Sequence, residues 1–169
     1  WLPLTGGHEV DQIIVARMAF LLLLIGTCAC VYRLARRVAS VDASWFAVLC
    51  CAGYTNILYH GTSFRTDGLC VFLLMAALVL AQSRASRLAA LSASAVLVAV
   101  ALLVTIKSVF FVPTVGAAVV AGSLRESRIS AVVKDLLLFG TALTGATLGL
   151  YFWHVYSLAA PSALESVAA

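Results

Sequence analysis

The chain alternates between long apolar runs and short polar connectors. Six runs approach the about 20 residues, within a range of roughly 17–25, that a helix needs to cross a bilayer. They are Ile13–Tyr32, Ala43–His60, Phe64–Gln82, Leu88–Ile106, Val109–Leu124 and Ala131–Tyr156. None shows the period-two alternation of a half-buried strand, so each predicts a helix. The expected fold is all-α: a polytopic transmembrane helical bundle of about six spanning helices, in a single domain over residues 1–169. The second and fifth runs are short and predict little tilt or local thinning of the bilayer. The turn around Lys107 covers two or three residues, which predicts a tight hairpin between the fourth and fifth runs. Pro113 falls inside the fifth run, where it removes a backbone donor and predicts a kink. Thr141, Gly145 and Gly149 recur every four residues in the last run, a small-residue face suited to close helix packing.

The connectors carry the charge. Arg33, Arg36 and Arg37 follow the first run, Arg84 and Arg87 lie between the third and fourth, and Arg125, Arg128 and Lys134 lie between the fifth and sixth. If the six runs alternate, these eight of the eleven basic residues share one side, leaving only Arg17, Arg65 and Lys107 on the other. The positive-inside rule then puts the eight in the cytoplasm. It puts both ends of the chain, the Tyr59–Arg65 turn and the Lys107 turn outside. The chain begins at Trp1 without a signal peptide, and an outward N-terminus then calls for an earlier span. The expectation is a piece of a longer protein, with at least one helix upstream and a further C-terminal part.

Composition narrows the class. Hydrophobic residues make up 63% of the chain, charged residues 11%, and the mean hydropathy is +1.08. A soluble domain of this size would expose far more apolar surface in one patch than water tolerates, so the chain reads as an integral membrane protein. The net charge of +4 is spread over span ends rather than gathered into a stripe with aromatic residues that could stack bases; no nucleic-acid partner is expected. Cys28, Cys30, Cys50, Cys51 and Cys70 all sit in apolar runs without metal-ligand spacing. Free cysteine behaves as a small hydrophobe, and these read as packing residues.

Few residues could carry chemistry on the outward side: His8, Glu9, Asp11, Arg17, His60, Arg65, Asp67 and Lys107. They match no triad, zinc motif or phosphate-binding glycine loop. Arg65 and Asp67 open the third helix. Asp67 in a first turn favours the helix dipole while Arg65 snorkels to lipid phosphates. Alternatively, Arg65 holds an anionic substrate group through its planar paired donors while Asp67 orients it. Lys107 is either a plain topology anchor or a cation beside a lipid-linked phosphate. Asp11 and Arg17 are six residues apart and do not share a helix face. His8 and His60 could act as general bases or metal ligands, but a lone surface histidine is usually neither.

The order of these elements resembles a family. Ala16-Arg17, an apolar helix ending Tyr32-Arg33-Leu34-Ala35-Arg36-Arg37, a short helix, and then Phe64-Arg65-Thr66-Asp67-Gly68-Leu69 look like the N-terminal half of the GT-C type polytopic glycosyltransferases. These include the protein mannosyltransferase-like, aminoarabinose-transferase-like and RgtA/B/C/D-like enzymes. Thr105-Ile106-Lys107-Ser108 resembles their threonine-lysine-glycine turn, and the run with Pro113 the helix after it. The resemblance covers roughly residues 9–124. Phe64 and Thr66 replace the common alanine and proline beside Arg65 and Asp67, and Ser108 replaces a glycine.

The resemblance implies transfer of a sugar from a polyprenyl-phosphate donor to an acceptor on the outer face, at a bacterial plasma membrane. In such enzymes an outward acid deprotonates the acceptor hydroxyl and cations stabilise the phosphate leaving group, as the chemistry demands. That acid lies just after the family's first transmembrane helix, which implies a base upstream of Trp1 and none within this chain. Arg65 and Lys107, with Asp67 as their orienter, are then the substrate-binding candidates. The partners are the lipid-linked donor and membrane lipids. No cofactor motif is evident, and a divalent metal requirement stays open. Two other readings remain. A transporter or permease would place charged or broken segments at the bilayer midplane and carry paired repeats. A non-catalytic membrane scaffold would need no outward acid.

Overall fold

The computed structural model describes residues 9–53, 66–83, 86–124 and 129–165. They form six α-helices and one 3-10 turn, with no strand among the described residues: α1 (Glu9–Ala35), α2 (Val41–Gly53), α3 (Thr66–Ala81), α4 (Arg87–Val104), the turn Ile106–Phe111, α5 (Val112–Leu124) and α6 (Ile129–Glu165). The all-α expectation holds; the six spans do not. Among the described residues, four segments are long and apolar enough to cross a membrane: Arg17–Ala35, Arg87–Val104, Ile106–Leu124 and Ile129–Ser157. This is the architecture of an integral membrane protein. The runs Ala43–His60 and Phe64–Gln82 yield instead the 13-residue α2 and the 16-residue α3. At 1.5 Å per residue these are about 20 and 24 Å long, short of the about 30 Å hydrocarbon core. Residues 54–60 of the first of these runs and 64–65 of the second lie outside the described residues.

The chain divides into two compact units, Trp1–Val79 and Leu80–Ala169. In the first, Tyr32 to Ser40 make a tight turn. The Arg36 amide donates to the Tyr32 carbonyl (2.9 Å), the Ala39 amide to Ala35 (2.9 Å), and the Arg36 guanidinium to the Ala39 carbonyl (3.0 Å). Ser40 then caps α2, its Oγ accepting from the Ala43 amide at 3.3 Å, and Asp42 in the first turn suits the helix dipole. This turn folds α2 back along α1. The Tyr32 and Trp45 rings pack at 4.9 Å between centroids, and farther along the pair Cys28 of α1 neighbours Cys51 of α2. On another face of α1, Gly26 receives the Phe72 ring of α3. A Cβ at Gly26 would lie 2.5 Å from Phe72 Cε2, so the missing side chain is what lets the ring reach the helix backbone. Further along both elements, Arg37 donates to the Val79 carbonyl at 3.2 Å. α3 therefore runs in the same direction as α1, and α2 against both.

In the second unit α4 is the most buried element. Leu91, Ala95, Val98, Ala99 and Ala101 are fully enclosed, and α4 packs against α6, which also packs against α5. Small residues on α4 allow this, since alanine and serine bring helix backbones close in an apolar medium.

Two local expectations change. The Lys107 connector is not two or three residues long. α4 stops where Thr105 adopts an extended conformation (φ −155°, ψ 133°), and six residues then wind as a 3-10 turn. Pro113 does not kink a helix. It stands in the first turn of α5, which begins at Val112, where a missing amide leaves no helical bond unmade. The Thr141–Gly145–Gly149 face packs against no other helix among the described residues. Nothing lies within 4 Å of a Cβ built at Gly145 or Gly149, and Thr141 is exposed, its hydroxyl turned back to the Leu137 carbonyl at 2.8 Å.

Candidate functional site

Charge in the second unit falls at the two ends of α4. At its start, the Arg87 guanidinium spends every donor. Nε donates to Asp135 Oδ2 at 2.8 Å. One terminal nitrogen donates to the Ala81 carbonyl at 2.6 Å, with the Ser83 carbonyl at 3.5 Å. The other donates to the Val119 carbonyl at 3.2 Å and Ser123 Oγ at 2.9 Å. Five N–H groups meet five acceptors, the full inventory of the side chain. Ser123 Oγ lies 2.6 Å from Asp135 Oδ2 and 2.9 Å from the Val119 carbonyl, and its single proton serves one of them at a time. The side chains of Arg87 and Asp135 are 22% and 11% exposed, and Ser123 is fully buried.

This knot ties the end of α3, the start of α4, the end of α5 and the second turn of α6. It also answers an electrostatic problem. A cation at a helix N-terminus opposes the helix dipole, and Ser86 makes no side-chain cap for α4. Asp135 supplies the compensating charge, while the guanidinium takes the Ala81 and Ser83 carbonyls at and beyond the end of α3, which lack helical partners, and adds a bond to the Val119 carbonyl within α5. Gly122 leaves room for it. A Cβ there would sit 3.1 Å from the Ala81 carbonyl and 3.2–3.3 Å from the guanidinium nitrogens.

The other end of α4 is built differently. Ser108 is fully buried and its hydroxyl donates to the Ala101 carbonyl at 2.9 Å. Thr105 Oγ1 accepts from the Lys107 amide at 3.4 Å. These bonds fix the backbone of the turn. The Lys107 side chain is exposed, with no hydrogen-bond or ion-pair partner among the described residues. Ile106 and Phe110 beside it are each 80% exposed.

Of the residues singled out from sequence, Lys107 is thus a cation without a partner among the described residues, on a fixed turn. Asp67 occupies the first turn of α3, exposed. It precedes Phe72 on α3 as Arg17 precedes Gly26 on the parallel α1, so Asp67 and the exposed Arg17 belong to the same end of the first unit. Asp67 and Lys107 belong to separate units. Arg65 lies outside the described residues, as do His8 and His60; Glu9 and Asp11 fall in the first turn of α1. Among the described residues no three His, Cys, Asp or Glu side chains converge as a metal site.

Arg87 and Asp135 were not foreseen as partners. Arg87 reads from sequence as a connector cation. The available signal was Asp135 itself, an acid inside an apolar run, which requires a partner in a membrane. No protein-family model, curated protein or solved structure matches the chain.

Proposed function

We propose that the chain is the membrane-embedded part of a lipid-dependent glycosyltransferase, in which Lys107, together with Arg65 and Asp67, binds the phosphate of a polyprenyl-linked sugar donor at the outer face of a bacterial plasma membrane. The observation that carries this reading is the Lys107 turn. A cation with no partner among the described residues is held on a hydrogen-bonded backbone where two apolar segments long enough to span, Arg87–Val104 and Ile106–Leu124, follow one another. A phosphate leaving group needs such a charge, placed before the reaction so that nothing must reorganise when the bond breaks. The resemblance of Ala16-Arg17, Phe64–Leu69 and Thr105–Ser108 to GT-C type enzymes supplies the reaction class.

The sidedness in this reading does not depend on the number of spans. Removing two consecutive crossings, those of α2 and α3, leaves every later connector on its original side. Arg33, Arg36, Arg37, Arg84, Arg87, Arg125, Arg128 and Lys134 stay cytoplasmic and Lys107 stays outward. The span count does bear on Arg65 and Asp67, which reach the outer face only if the α2–α3 hairpin and residues 54–65 together cross the bilayer.

The test is transfer from a polyprenyl-phosphate sugar in membranes carrying the full-length protein, upstream segment included. Lys107→Ala and Arg65→Ala are each expected to abolish transfer with insertion and folding unchanged. Wild-type turnover in both would return these cations to topology anchors. Substrate uptake into vesicles with no sugar transfer would favour a permease instead.

A further inference from the structure

In the second unit Lys107 is flanked by two stretches without Asp, Glu, Lys or Arg, Leu88–Ile106 and Ser108–Leu124, of 19 and 17 residues; on α6 the corresponding stretch runs from Leu136 to Leu164, and its first 18 residues separate Asp135 from an aromatic cluster that begins at Tyr151. At helical rise the 19, 17 and 18 residues extend about 28, 25 and 27 Å, the 3-10 residues of the turn slightly more per residue. Each distance is close to the about 30 Å of a hydrocarbon core. Their ends also coincide. The Arg87–Ser123–Asp135 knot gathers one end of each at a single level. Followed away from the knot, α4 and α5 meet at the Lys107 turn, while α6 arrives at Tyr151, Phe152, Trp153 and Tyr156.

These four aromatic residues are exposed, Trp153 by 76% and Tyr156 by 81%. Along α6 between the two ends the exposed side chains carry no charge: Leu137 and Leu148 are apolar, and the Thr141 hydroxyl bonds back to its own helix. Tyrosine and tryptophan join an apolar ring to a polar tip, and they concentrate where hydrocarbon meets headgroups. A lysine beside exposed Ile106 and Phe110 fits the same boundary, with its stem in the apolar layer and its ammonium among phosphates. α6 itself has 37 residues, about 55 Å, so it overshoots the core.

We infer that the second unit sits across the bilayer with the Arg87 knot at one headgroup layer and the Lys107 turn, Tyr151, Trp153 and Tyr156 at the other, and that α6 continues past this second layer beyond Ser157. The occupant of the exposed aromatic surface is the phospholipid headgroup layer. The inference stands on helix lengths and residue placement, independent of any sugar transfer.

The test is fluorescence depth measurement on the full chain in phosphatidylcholine vesicles containing nitroxide-labelled lipids. With Trp1 and Trp45 replaced by phenylalanine, Trp153 is the sole emitter. It is expected at about 14 Å from the bilayer centre, half the core thickness, quenched more by a nitroxide near the headgroup than by one near the chain end. With Trp153→Phe added, Ile106→Trp is expected at the same shallow depth. Thr144→Trp, about 13 Å back along α6, is expected near the centre with the opposite quenching order. Trp153 or Ile106→Trp as deep as Thr144→Trp would overturn the placement. So would Trp153 untouched by lipid quenchers, whether because it lies in water or because protein covers it.

Discussion

Two cations stand at the two ends of α4, and they are used in opposite ways. Arg87 gives all five donors to the protein, one of them to a carboxylate and the others to three carbonyls and a serine. Lys107 has an equally ordered backbone beneath it and gives its charge to nothing among the described residues. Neither position nor hydropathy separates the two, since both are single basic residues bounding one apolar run. Donor accounting does. A guanidinium with every N–H satisfied by the fold has nothing left for a ligand, whereas an exposed ammonium on a fixed turn can meet one.

The largest expected effect lies at the knot. Asp135→Ala leaves a largely buried guanidinium without its counter-charge, a change that costs about 3–5 kcal/mol in folded proteins. Denaturation in mixed micelles should show a loss on that order. Arg87→Leu combined with Asp135→Leu should lose less than the two single changes together, because the pair is coupled; strict additivity would mean that the two side chains do not act as a unit. Gly122→Ala pushes a Cβ against the Ala81 carbonyl and the guanidinium and should destabilise by about 1–3 kcal/mol, as overpacking does. Gly145→Ala, with open space around it, should instead stabilise α6 by about 0.5–1 kcal/mol. Equal effects at the two glycines would remove the packing argument for Gly122. Ser123→Ala, which loses a hydroxyl between two charged groups, should cost about 1.5–3 kcal/mol by the same assay. Smallest is Lys107→Ala, expected within about 0.5 kcal/mol of the unaltered protein because it removes an exposed side chain with no protein contact to lose.

The helices and their charged boundaries were legible before the structure, but the contrast between the two cations was not. The apolar runs and their basic ends fix helices and boundaries because hydrocarbon tolerates neither open backbone nor charge. Asp135 announced a buried partner by standing inside such a run. Which arginine would reach it was not legible: Arg84, Arg87, Arg125 and Arg128 are all near a helix end in sequence, and only the packing of α4 against α6 selects Arg87. Hydropathy records which residues are apolar, while helix boundaries depend on local bonds that the apolar count does not show. Pro113 illustrates the same gap. Its restricted φ and missing amide suit either an interior kink or a first turn, and the extended Thr105, several residues earlier, decides in favour of the first turn. The exposed Lys107 was foreseen by residue type and place, but its fixed setting through Ser108 and Thr105 was not.

The account rests on Lys107 being an available cation and Arg87 a structural one. The most direct measurement therefore takes one preparation of Lys107→Ala in lipid vesicles and reads both its unfolding midpoint and sugar transfer from a polyprenyl-phosphate donor. The expected result is an unchanged midpoint with transfer abolished. A lowered midpoint, or transfer at the unaltered protein's rate, would contradict it.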